Sequence, residues 1–173
     1  MFEKTILLSA GIALSASASM AEISDSCLLG AWVPAEGAFA TQMAANPGMG
    51  EVEVSGDVQM IFTAGGGRYV LDGMEIKMQN QGMPPTTVAM NGTGAFSGNA
   101  SAGQFSFSMG DFDYAAKATI DMGGSPMVMD IPFTEEMAPM GGGAEGTYAC
   151  TESTLSFDVA GREGKMVERW VRR

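Results

Sequence analysis

"DFDYAAKATIDM", from Asp111 to Met122, is the stretch on which the fold turns. Phe112, Tyr114, Ala116, Ala118, Ile120 and Met122 recur at every second position, while Asp111, Asp113, Lys117, Thr119 and Asp121 mostly fall between them. A period of two sends the two sets to opposite sides of an extended strand, one for a core and one for water. The alternation continues on either side. "GQFSFSMG" sets Phe105, Phe107 and Met109 against serine and glutamine, and "VQMIFT" places Val58, Met60 and Phe62 on one face. "TTVAMNGTGAFSG" keeps Val88, Met90 and Phe96 in phase with glycines between them.

Turn signals separate these runs. Ala64-Gly65-Gly66-Gly67 leads into "RYVLDGMEIKM", where Gly73 is expected to mark a bulge. "SGNAS" is expected to turn into "GQFSFSMG", and "GGSP" reads as a hairpin turn into "MVMDIPF". Further strands are expected in "CLLGAWVP", "GTYAC", "TLSFDVA" and "KMVERWVRR", the last two joined by "GREG". Short strands at even spacing, about eight to ten of them, predict an all-β fold, an antiparallel barrel or sandwich. One segment departs from the pattern. "EGAFATQMAAN", Glu36 to Asn46, carries Phe39 and Met43 four apart among alanines and stops at Pro47-Gly48, which predicts one short helix after the first strand.

Residues 1–21 read as an export leader rather than as structure. Lys4 precedes an apolar run from Ile6 to Leu14, and small residues lead to Ala21, after which cleavage is expected. The run is too short to span a bilayer, and "ISDSC" lacks the residues of a lipobox. Residues 22–173 then form one barrel domain, periplasmic or secreted, and a monomer is expected. The leader holds one Glu and one Lys, so its removal leaves the net charge at −11. So acidic a surface repels phosphate backbones and anionic headgroups, which argues against nucleic acid as a partner. Insertion as an outer-membrane barrel would need aromatic girdles, and the chain has only two Trp and three Tyr.

Two cysteines in an exported chain meet an oxidising compartment, and their even count favours a Cys27–Cys150 bond. Such a bond would close a very long loop and contribute up to about 4.7 kcal/mol in the chain-entropy account. Two buried free thiols are the alternative. No CxxC redox spacing is present.

The two ends of the chain together resemble a known family. Gly30-x-Trp32 in "CLLGAW" resembles the Gly-x-Trp signature that opens the first strand of lipocalins, and "GTYACTESTLSF" followed by "ERWVRR" resembles the closing strands of bacterial secreted lipocalin-like domains. The resemblance is specific at Cys27, Gly30, Trp32, Tyr148 and Cys150; Phe112-Asp113-Tyr114 keeps two positions of the family's Thr-Asp-Tyr motif. It implies a calycin-type barrel whose first and last strands meet, with Cys27 and Cys150 clamping the seam. It also implies that Trp32 packs at the closed end under an arginine from a late strand. Arg169 is the first candidate for that cation–π partner and Arg172 the second.

The chemistry available is narrow. With no histidine in the chain, Ser-His-Asp and Cys-His arrangements and histidine zinc sites fall away. Glu135-Glu136 and Asp111-x-Asp113 are the nearest carboxylate pairs, with solvated surface charges as the plainer reading. Gly92-x-Gly94 has no following helix, so the dinucleotide fingerprint fails. Methionine is abundant, sixteen in all. Met122, Met127, Met129, Met137 and Met140 could offer soft ligands to Cu(I), or methionine could fill an adaptable interior. No cofactor and no catalysis are expected. The reading that follows is a carrier whose barrel takes a small apolar ligand against Phe62, Tyr69, Met90, Phe105, Phe107 and Tyr114; those residues serving only as core is the alternative. A filled barrel acting as an interaction or inhibitor module is the second reading.

Overall fold

The computed structural model describes residues 22–44, 50–80, 82–134, 143–160 and 169–173. The expected leader (1–21), the "GREG" turn and Glu135, Glu136, Met137 and Met140 lie outside the described residues. In chain order the elements are β1 (Gly30–Pro34), α1 (Ala38–Ala44), β2 (Glu51–Thr63), β3 (Gly66–Gln79), β4 (Thr86–Ser101), β5 (Gln104–Asp121), β6 (Pro126–Ile131), β7 (Ala144–Cys150), β8 (Thr154–Val159) and β9 (Arg169–Arg172). All strand pairs are antiparallel. Eight strands close a ring in the order β1-β2-β3-β4-β5-β7-β8-β9, and β6 lies beside the C-terminal half of β5. The all-β fold and its short helix after the first strand are as expected, and the sheet closes as the barrel that the resemblance implied.

Two expectations need revision. "SGNAS" is not a turn: β4 runs through it to Ser101, with Gly98 opposite Phe107 and Asn99 opposite Ser106, and the chain reverses at Ala102-Gly103. The runs "GQFSFSMG" and "DFDYAAKATIDM" are one strand, not two. Phe112 of β5 faces Gly94, but Met109 faces Phe96, so β5 holds an extra residue at Gly110-Asp111. Such a bulge shifts the phase of a strand. Inward residues change there from Phe105, Phe107 and Met109 to Phe112, Tyr114 and Ala116. β3 does the same at Gly73, which adopts φ 58°, and its inward residues pass from Tyr69 and Leu71 to Met74 and Ile76.

The seam between the chain ends holds the barrel closed. β1 pairs with β9, setting Trp32 opposite Arg172, and the Cys27–Cys150 disulfide, with Cα atoms 6.1 Å apart, ties the approach to β1 to the end of β7. Arg172, not Arg169, stacks on Trp32, its Cζ 4.2 Å from the ring centroid. Alternation explains the correction. Trp170 is buried, so Arg172, two residues on, shares its inward face, while Arg169 points outward and is exposed. Arg172 also donates from Nε to Glu152 O (2.6 Å), from Nη1 to Leu29 O (2.8 Å) and from Nη2 to Cys27 O (2.7 Å). Gly30, at φ 119°, makes room: a Cβ there would lie 2.9 Å from Arg172 Nη1. Below this stack, Ile23 is buried and its N–H donates to Ala64 O (3.0 Å), so residues 22–24 cross the closed end.

Removing Arg172 orphans three carbonyls and uncovers Trp32. Arg172→Ala is expected to lower stability by about 3 kcal/mol, against less than about 0.5 kcal/mol for Arg169→Ala, read from urea midpoints. Reducing the disulfide releases a closure of 123 residues and is expected to cost about 2–5 kcal/mol in the same measurement.

Candidate ligand-binding face

The barrel has two storeys. In the lower one the expected ligand-lining rings pack against each other. Phe62 lies 5.3 Å from Phe96 and 5.7 Å from Phe107, centroid to centroid, and Phe105 lies 5.0 Å from Phe107 and 5.1 Å from Phe157. Each of these five is at most 4 % exposed. Rings at these separations and tilts are a packed aromatic core. Phe62, Phe105 and Phe107 therefore form a floor, and a ligand would have to displace them.

At the waist, Tyr69 meets Trp170 edge to face at 5.9 Å, and Tyr114 donates from its hydroxyl to Tyr69 O at 3.3 Å. Phe112 and Tyr114 stack on one another and against Phe133. Burial drives the Tyr69 phenol far above its usual range, with the nearby Tyr114 adding to the effect. Burial likewise pushes Tyr114 up to about 12. Tyr148, near the disulfide, is pushed up to about 12 by burial and by donating to Asp25 Oδ2 at 2.7 Å.

Above the waist the strands on one side continue while those on the other stop. β2 to β5 run 13, 14, 16 and 18 residues, whereas β1, β8 and β9 run 5, 6 and 4. The excess, with β6, makes a five-stranded wall. Three rows of cross-strand neighbours cross its inner face. The lowest is Met74-Met90-Ala116-Ile131, the next Val54-Ile76-Val88-Ala118-Met129, and the highest Val52-Met78-Thr86-Ile120-Met127. Thr86 is the one polar residue among them. The alternate rows, such as Ser55-Glu75-Ala89-Lys117-Asp130, face outward and are polar, with Lys117 and Asp130 in an exposed ion pair at 3.7 Å.

Where α1 leans on β2, a cleft of about 440 Å³ opens, lined by Val33, Phe39, Ala40, Val54 and Val58. Val54 and Val58 belong to the inward set of β2, while Val33, Asp57 and Arg173 fall on the outward set, so the cleft lies at the open edge of β2 and borders the inner face of the wall at Val54. Its rim is polar: Glu36 lines it, and Arg173 pairs with Asp57 at 3.5 Å. A second cleft of about 460 Å³ lies on the outer face, between Arg68 and the bulge at Gly110-Asp111.

Of the residues expected to line a site, Met90 lies on the wall, Tyr69 and Tyr114 at the waist, and the three phenylalanines in the floor. Val88, Ala116, Ala118 and Ile120 of the wall are inward on alternation, as expected, and Val52 and Val54, which no expected strand included, alternate with Glu51 and Glu53 in plain period two. Among the described residues, no three His, Cys, Asp or Glu side chains converge as metal ligands. Asp111 and Asp113 sit in separate settings, the first at the outer cleft and the second opposite Thr93. Comparison of the chain with protein-family models, curated proteins and solved structures finds no match.

The three tyrosines set an alkaline limit. Each is held protonated in the fold above the ordinary phenol value of 10.0, so each stabilises the fold fully below that pH and loses its contribution as pH climbs through the raised value. Urea midpoints should therefore hold level up to about pH 10 and fall between about 10 and 12. Tyrosinate absorbance should rise together with unfolding rather than ahead of it.

Proposed function

We propose that the chain is an exported, non-catalytic carrier of lipocalin-like kind, taking a small apolar ligand against the inner face of the wall. One observation carries the reading: three aliphatic and thioether rows, uncharged throughout, stand above a ring-packed floor and meet a cleft of about 440 Å³. That volume is within the range of small-molecule pockets. Unbranched thioethers such as Met78 and Met90 re-pack around different shapes, which suits loose recognition of apolar bodies. The absence of histidine from the sequence and the pairing of the two cysteines support a role without catalysis. The disulfide and the leader-like order of residues 1–21 support export to the periplasm or beyond.

The packed floor favours the second reading, an interaction module, only if the wall also proves closed to ligands. A fluorescent apolar probe such as N-phenylnaphthylamine separates the two. Saturable binding is expected, and Val54→Lys, which sets an ammonium group where the cleft meets the wall, should weaken it at least tenfold. Phe107→Leu in the floor should lower stability by about 1–3 kcal/mol and leave affinity within twofold. No saturable binding, or loss through Phe107→Leu with Val54→Lys silent, would refute the site.

A further inference from the structure

Among the described residues the wall ends in two strand edges without strand partners, and charge guards only one of them. β2 meets β1 only from Met60 to Phe62, so Glu51 to Asp57 have a strand on one side alone. That edge carries Glu51, Glu53 and Asp57, and α1 packs beside it. Charges and a covering helix are how folds prevent edge-to-edge association. The other edge is β6. It stands last in the sheet order and, among the described residues, pairs only with β5, which leaves a second row of backbone N–H and C=O groups without a strand partner there. Its side chains are apolar on both faces: Met127 is 45 %, Val128 61 % and Met129 42 % exposed. These are three of the six large apolar side chains most exposed among the described residues, and they are consecutive. Asp130, its one charge, is engaged by Lys117 of the neighbouring strand. Pro126 at its start and Pro132 just past its end limit the length of this edge, but between them no lysine or bulge guards it.

We infer that β6 is an interface strand and that its occupant is β6 of a second copy, paired antiparallel about a two-fold axis at Val128. Open backbone groups between apolar side chains are satisfied best by another extended strand. Two open edges exist in a second copy. Joining β6 to the β2 edge would face it with three carboxylates and build an open-ended chain of subunits, whereas β6 to β6 closes on itself. The register is self-complementary. With Val128 opposite its own copy, Met127 faces Met129 and Pro126 faces Asp130, so the two aspartates never oppose one another. The inner faces of both walls then become one continuous apolar surface. Each copy carries a net charge of −11, so long-range repulsion opposes the encounter, and salt should promote it. One strand pair is well short of the ~1,600 Å² typical of a stable interface, so the dimer is weak and forms as concentration rises. The monomer expected from the sequence is its dilute limit.

Sedimentation velocity of the purified exported chain, across a wide range of concentration and at low and high salt, tests this without any ligand. A reversible shift from monomer to dimer is expected, stronger at high salt. Val128→Lys places two ammonium groups face to face and should weaken association at least tenfold with the circular dichroism spectrum unchanged. Val128→Cys should yield a covalent dimer on mild oxidation, and Ser106→Cys, exposed on the lower barrel, should not. A chain that stays monomeric at every concentration and salt, or a dimer indifferent to Val128→Lys, overturns the inference. So does a monomer that instead binds an added extended apolar peptide through Val128.

Discussion

The guanidinium of Arg172 is the contact on which the closed end depends. It lies on the Trp32 ring and spends three donors on the carbonyls of Cys27, Leu29 and Glu152, which belong to the approach to β1 and the loop between β7 and β8. A charge taken partly out of water is tolerated only when its donors are met and its face is covered. Here both conditions are met by segments far apart in sequence, so the site forms only when the ends of the chain have come together. The disulfide sits beside it and restricts the unfolded chain toward the same closure. Trp32 completes the arrangement by donating Nε1–H to Leu28 O at 2.7 Å, which leaves its ring free to be both core and platform.

Closing one end so firmly leaves the other free to differ. The floor is built from phenylalanine, whose rigid rings lock against one another, and the wall from valine, isoleucine and alanine with unbranched methionines that adapt their shape. The change of chemistry coincides with a change of backbone. Both bulges, at Gly73 in β3 and Gly110-Asp111 in β5, lie near the boundary between the storeys. Each inverts the strand's phase, so in both strands the inward positions switch from odd to even numbers. Bulges also raise local twist and bend the strand, a physical means for long strands to leave the barrel and rise as a separate wall.

How much of this could be read beforehand follows from the same features. Alternation in β5 and β2 was plain because one side of each strand is buried. The break in phase at Gly110-Asp111 looked like a strand ending because period two cannot distinguish a bulge from a new strand. "SGNAS" carried turn residues, yet its glycine serves a close cross-strand approach: a Cβ on Gly98 would lie 2.0 Å from Ser106 O. The aromatics were visible as inward residues, but alternation says which way a ring points and not whether another ring already fills the space. Arg172 was preferable to Arg169 on alternation alone, given a buried Trp170. The wall was the least legible part. Its existence depends on unequal strand lengths across the barrel, a property of pairing that no single segment carries.

Charge then constrains what such a wall could hold. The net charge is −11, and three of the few basic side chains are already committed: Arg172 to carbonyls at the closed end, Arg173 to Asp57, and Lys117 to Asp130. Nothing cationic stands on the three inner rows. A carboxylate-bearing amphiphile would approach against the field of the whole molecule and find no counter-charge on the face that received it. A neutral or cationic apolar molecule meets neither obstacle, and at the cleft, where Asp57 is taken up by Arg173, Glu36 would favour a positive end. The same field would oppose the proposed pairing of copies at low salt, which would let an exposed run such as Met127-Val128-Met129 stand on an edge without uncontrolled assembly.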